Sequence, residues 1–113
     1  MTFVQYQRMA QRTANERTQS GKIENGVLGL CGESGECADI LKKYYHQGHE
    51  LDRDHMAEEL GDVLWYAAEL AAGLGLTLDE VAARNIAKLQ RRYPEGFDAE
   101  RSKHREGERE CHD

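Results

Sequence analysis

The sequence predicts an all-α fold: an antiparallel, four-helix bundle-like subunit whose core is completed by oligomerisation. Three observations lead there. Apolar residues recur at spacings of three and four in four separate segments. Charged residues make up 32% of the chain and Pro94 is its single proline, which disfavours long strands punctuated by turns. The breaks between segments are short, which favours antiparallel neighbours. Four narrow apolar stripes leave each helix underburied, so a second copy is expected to finish the core.

The first helix is expected over residues 2–17, with Phe3, Tyr6, Met9, Ala10 and Thr13 on one face and Ser20-Gly21 as its breaker. The second is expected over 25–45, stopped by Gln47-Gly48. Asp52 or Asp54 caps the third, whose Met56, Leu60, Val63, Ala67, Leu70 and Leu74 form one stripe closed by Gly73 and Gly75. Thr77-Leu-Asp-Glu80 reads as a capping box opening the fourth, which ends before Pro94. One domain therefore spans 1–97. Residues 98–113 carry dense mixed charge and almost nothing apolar, and are expected to form a disordered tail.

Composition excludes several functions. Twenty-one acids against fifteen bases give a net charge of −6, which argues against nucleic acid as a partner. No apolar run is long enough to span a membrane, and the N-terminus lacks the apolar core of a signal peptide. Cys31, Cys37 and Cys111 are odd in number and lack CxxC spacing, so a reduced, cytoplasmic protein is expected, with Cys31 and Cys37 as small core residues.

The stretch GLCGESGECADILKK, residues 29–43, is at odds with its own helical spacing. Gly29, Gly32 and Gly35 together cost a helix about 3 kcal/mol relative to alanine. On a helical wheel Glu33 falls inside one edge of the arc formed by Val27, Leu30, Cys31, Cys37, Ile40, Leu41 and Tyr44, with Glu36 just beyond it. The third helix repeats the oddity. Glu59 falls between Tyr66 and Leu70, and Asp62 lies beside Tyr66. Residues three apart point the same way, so two antiparallel helices can converge four carboxylates on one spot. Such a cluster repels itself unless cations enter, and an all-oxygen donor set selects Mg²⁺ or Mn²⁺ over zinc. In the fourth helix Asn85 lies within the apolar arc, while Lys88 and Arg92 lie along its edge. An amide and two cations suit a phosphate chain, and ion pairs to Glu33 or Glu59 are the alternative.

With Glu33-Ser-Gly-Glu36, then 22 residues, then Glu59-Leu-Gly-Asp62, the chain resembles the MazG-like, all-α nucleoside triphosphate pyrophosphohydrolases, whose signature is ExxE followed by ExxD. The segments EELGDVLWYAAELA and NIAKLQRRYPEGF extend the resemblance over residues 25–97. It implies Mg²⁺-dependent hydrolysis of a nucleoside triphosphate to the monophosphate and pyrophosphate, with Mn²⁺ as a substitute, in nucleotide-pool house-cleaning. Glu33, Glu36, Glu59 and Asp62 would hold the metal, and Tyr66, Asn85, Lys88 and Arg92 would contact the nucleotide. A homodimer or homotetramer is implied. Glu33, deepest in the apolar arc, is either the acceptor of the attacking water's proton or a ligand only. Two rival readings are a non-enzymatic helical interaction module and a di-iron carboxylate bundle. The latter wants Glu-x-x-His pairs, which Glu33, Glu36 and Glu59 do not supply.

Overall fold

The computed structural model describes residues 1–104. Among the described residues five helices follow in order: α1 (Phe3–Gln11), α2 (Gln19–His46), α3 (Arg53–Gly73), α4 (Leu78–Arg92) and α5 (Ala99–Lys103). No strand occurs among the described residues, so the expected all-α class holds. The described residues fall into two compact units, divided between Asp79 and Glu80.

α1 opens with a reciprocal cap in which the Gln5 amide N–H donates to Thr2 Oγ1 and the Thr2 N–H to Gln5 Oε1, at 3.1 and 2.7 Å. It ends six residues earlier than its apolar pattern predicts. The Thr13 hydroxyl donates to the Ala10 carbonyl at 2.7 Å, a local bond that competes with helix propagation. Ser20-Gly21 does not break a helix but lies in the first turn of one. The Thr18 hydroxyl accepts the Gly21 N–H at 3.1 Å and starts α2 six residues before its expected beginning. At the far end Gly48 takes φ +72°, and the N–H groups of Gln47 and His49 both reach the Lys43 carbonyl. Asp52 caps α3 by accepting the His55 N–H at 3.0 Å. α3 closes through Gly75 (φ +73°) and a 2.8 Å bond from the Leu76 N–H to the Ala71 carbonyl.

α2 and α3 are antiparallel. Ile23 meets Gly73, Gly26 meets Leu70, and Gly29 meets Tyr66, residue numbers falling on one helix as they rise on the other. Glycine is required at this crossing. A β-carbon on Gly26 would lie 2.7 Å from Leu70 Cβ, and one on Gly29 would lie 2.1 Å from Tyr66 Cδ1. Gly32 and Gly35 face open space, so the glycine-rich stretch has two jobs: close approach at its start and bare surface further on.

Polar groups complete the seam. Glu69 of α3 is fully buried, pairs with Arg17 Nη1 at 3.2 Å and accepts a hydrogen bond from the Asn25 amide. The chain ahead of α2, α2 itself and α3 thus meet at one carboxylate. Gln7 of α1 is also buried. Its amide nitrogen donates to the Ala68 and Leu76 carbonyls at 3.2 and 3.0 Å, and its oxygen accepts the Leu78 N–H at 2.9 Å. The small apolar core is Ala68, Ala71 and Leu78, with Tyr6, Leu64 and Ala67 packed against it. The buried face of α1 is accordingly Gln7 and Ala10, whereas Phe3 and Met9, expected inward, are exposed. Cys31 is likewise exposed rather than a core residue, and Cys37 is half-buried.

In the second unit, part of the segment expected to be a disordered tail is helical, as α5. Asp98 caps α5 by accepting the Glu100 N–H at 2.9 Å. Arg101 then donates to the Arg92 and Arg91 carbonyls at 2.5 and 3.2 Å, filling acceptors that the C-terminal turn of α4 leaves open. Cys111 and the remainder of the expected tail lie outside the described residues.

Two substitutions separate the glycine roles. Gly29→Ala forces the Tyr66 ring to move and is expected to destabilise by about 1–3 kcal/mol. Gly32→Ala meets no neighbour, and its higher helix propensity is expected to be neutral or stabilising by up to about 1 kcal/mol. Urea unfolding of both variants checks this; equal effects would contradict the packing. Arg17→Met strands the buried Glu69 carboxylate, with an expected loss of about 3–5 kcal/mol in the same assay.

Candidate metal centre

The register of α2 on α3 brings Glu33 opposite the ExxD pair. Oxygens of Glu33, Glu59 and Asp62 lie within 4.8 Å of one another. Glu33 and Glu59 are half-buried and Asp62 is exposed, so the cluster sits at the edge of the seam, open to solvent on one side. Glu36, expected as a fourth ligand, is exposed one turn along α2 and stands outside this group of three. Its charge still reaches the cluster and is one of those acting on Glu33.

The electrostatics are those of a site short of positive charge. The Glu33 carboxyl is raised from its ordinary 4.5 to about 7, chiefly by sharing a hydrogen bond with Glu59. Desolvation adds to this, followed by the charges of Glu59, Asp62 and Glu36. Glu59 has a second partner, His55 Nε2, at 3.1 Å from Oε1. The Tyr6 phenol of α1 is raised first by burial and then by the charge of Asp62, which places α1 within electrostatic reach of the site. Three carboxylates in one small volume, all oxygen donors, suit a hard divalent ion.

Tyr66, expected to touch a nucleotide, is half-buried in the notch left by Gly29 and stacks edge-to-face on Trp65 with centroids 5.0 Å apart. The Trp65 indole N–H donates to Thr13 Oγ1 of the same chain at 2.9 Å. Asn85, Lys88 and Arg92 belong to the second unit. Asn85 and Lys88 line an open hollow of about 480 Å³ together with Val81, Arg84, Ala87 and Arg91. Of the histidines around the α2–α3 loop, His46 and His49 are exposed, and His55 reaches an acid at i+4, not at the Glu-x-x-His spacing of a di-iron bundle.

Sequence reasoning missed His55, Tyr6 and the Arg17–Asn25–Glu69 group. Glu69 had a visible signal, since it lies seven residues after Asp62 and three after Tyr66 on one stripe of α3. His55 had one too, four residues ahead of Glu59. Tyr6 had none, because its approach to Asp62 depends on how α1 packs.

A helical seam carrying a carboxylate cluster defines the broad class, and comparison with known proteins makes it specific. The model for the MazG nucleotide pyrophosphohydrolase domain matches residues 22–97. The chain belongs to that family. α1 lies ahead of the matched segment, so its hydrogen bonds to Ala68, Leu76 and Leu78 are features of this chain's structure beyond the match. The Gene 37 protein of Mycobacterium phage L5 is 42% identical over 74 residues, which cover 62% of this chain and 65% of that protein. The match therefore spans slightly less than two-thirds of the relative's length. No solved structure matches the chain.

The raised Glu33 is expected to contribute to the pH dependence of stability without metal. A group whose folded pKa exceeds its unfolded one contributes stability that is complete below about 4.5 and is lost as pH rises through about 7. Thermal melts in chelator are therefore expected to show a midpoint that falls between pH 5 and pH 8, with a shallower fall in Glu33→Gln. Parallel profiles for the two proteins would remove Glu33 as the cause.

Proposed function

We propose that this protein is a Mg²⁺-dependent nucleoside triphosphate pyrophosphohydrolase that converts a ribo- or deoxyribonucleoside triphosphate and water to the monophosphate and pyrophosphate. The observation that carries the reading is the convergence of Glu33, Glu59 and Asp62 from two antiparallel helices, with Glu33 raised to about 7. A structural surface cluster gains nothing from such repulsion. A metal site uses it, because the free energy of the empty arrangement is recovered when the ion enters.

Glu33, Glu36, Glu59 and Asp62 are the proposed ligands, Glu36 joining the three that already meet. When bound, Mg²⁺ supplies charge neutralisation for the phosphates and lowers the pKa of water; Mn²⁺ has compatible ligand chemistry. Glu33 is also proposed to accept the proton of the attacking water. The water oxygen joins the monophosphate product and the α–β anhydride bond breaks, its electron pair leaving with pyrophosphate. Tyr66 is proposed to contact the nucleoside. Asn85, Lys88 and Arg92 are proposed to hold the phosphates, a role drawn from the family resemblance and from their chemistry.

A second copy of the chain is the proposed partner. Val27, Leu28, Leu41, Tyr44 and Tyr45 of α2, with Leu60 and Leu74 of α3, are all exposed, Leu28 by 64% and Tyr45 by 68%. Apolar surface of this extent on two adjacent helices is what an obligate interface covers. No described helix is long and apolar enough to cross a membrane. With Cys31 and Cys37 free, a reducing cytoplasm and a role in clearing unwanted nucleotides are proposed.

Incubation with a panel of common and modified nucleoside triphosphates is expected to release pyrophosphate only with Mg²⁺ or Mn²⁺. Glu36→Gln and Asp62→Asn are expected to lower kcat/KM on the order of 100-fold or more while folding normally. Release of inorganic phosphate instead would refute the bond assignment. Light scattering is expected to give a dimer or tetramer, shifted toward monomer by Leu28→Glu.

A further inference from the structure

His55 stands in an unusual position for a surface histidine. Its backbone N–H donates to Asp52 Oδ1 at 3.0 Å, so the cap of α3 fixes the turn that carries it. Its ring then runs one turn along the helix to Glu59, placing Nε2 3.1 Å from Oε1. The imidazole is 48% exposed, whereas the Glu59 side chain is 16% exposed and also shares a hydrogen bond with Glu33. Because a carboxylate only accepts, the ring nitrogen facing it is the donor.

We propose that His55 is a positioning residue for the metal centre, holding the Glu59 carboxylate in the orientation that faces Glu33 and Asp62. The inference rests on the reading of these acids as metal ligands. A lone glutamate on a helix surface samples several rotamers, and three mutually repelling acids favour those that move apart. One directed donor on Glu59 Oε1 opposes that drift and leaves the other acceptor sites of the carboxylate for an ion. Hydrogen-bonded partners of metal ligands characteristically act in this way, and their loss weakens metal binding by roughly 10–100-fold. An exposed i,i+4 pair by itself contributes little to folding. The effect of His55 therefore belongs in metal affinity and not in stability, which separates the proposal from an ordinary surface contact.

Mn²⁺ titration of the metal-free full chain, followed by the electron paramagnetic resonance signal of free ion, tests this without reference to turnover. His55→Ala is expected to weaken Mn²⁺ binding about tenfold or more with the melting midpoint in chelator unchanged. His55→Gln, whose amide N–H can donate to the same carboxylate, is expected to recover most of the affinity. Equal Mn²⁺ affinity in wild type and His55→Ala would overturn the proposal while leaving the metal site standing. A loss in His55→Ala that glutamine does not recover would overturn it too, since the imidazole would then be a direct ligand. If the wild-type chain bound no Mn²⁺, the metal reading itself would fall and this inference with it.

Discussion

The close antiparallel contact of α2 with α3 is the constraint on which everything else depends. It is set by volume. Gly26 and Gly29 leave space for Leu70 and the Tyr66 ring, and Gly73 leaves space for Ile23. Those three interlocks define one register, and a slip by a residue on either helix would drive side chains into backbone. The same register carries Glu33 to Glu59 and Asp62 about one to two turns beyond the last interlock. Packing energy gained among glycines and large side chains thus holds together charged groups that would separate if left alone.

The seam also grades from dry to wet. At one end Glu69 is buried but answered by Arg17 and Asn25, a satisfied carboxylate that fastens the start of α2 to α3. At the other, Glu33, Glu59 and Asp62 crowd together, and their mutual influence appears as a raised Glu33. Both ends place acids on the stripe that an ordinary helix pair fills with leucine. They differ in compensation. One carboxylate has its cation within the chain, whereas the cluster is proposed to receive one from solution.

Much of this was legible in the sequence. The all-α class, the stop at Gln47-Gly48, the Asp52 cap, the closure near Gly75 and the end of α4 before Pro94 follow from local chemistry: left-handed glycines, capping oxygens and a missing N–H. The acid pairs were visible because they violate the apolar arc on their own helices. The misses have a common origin. α1 ends early because the Thr13 hydroxyl takes a carbonyl, and Ser20-Gly21 lies inside α2 because Thr18 caps it. In each case a single hydrogen bond made by one side chain, as donor at Thr13 and as acceptor at Thr18, outweighed a pattern summed over many residues. Gln7 and Glu69 escaped notice because polar residues are assigned outward unless a partner is known, and their partners are 44 to 71 positions away.

The sequence by itself determined that the chain is helical, where most helices stop, and which acids sit on the inner border of their stripes, because these depend on bonds and angles within a few residues. Only the tertiary structure decided that Glu33, Glu59 and Asp62 form the tight group while Glu36 stands outside it, that Glu69 is buried and paired, and that Cys31 faces solvent. Those outcomes depend on the rotation of one helix about its axis against another. Steric exclusion between distant residues sets that rotation, and a wheel drawn for a single helix does not contain it.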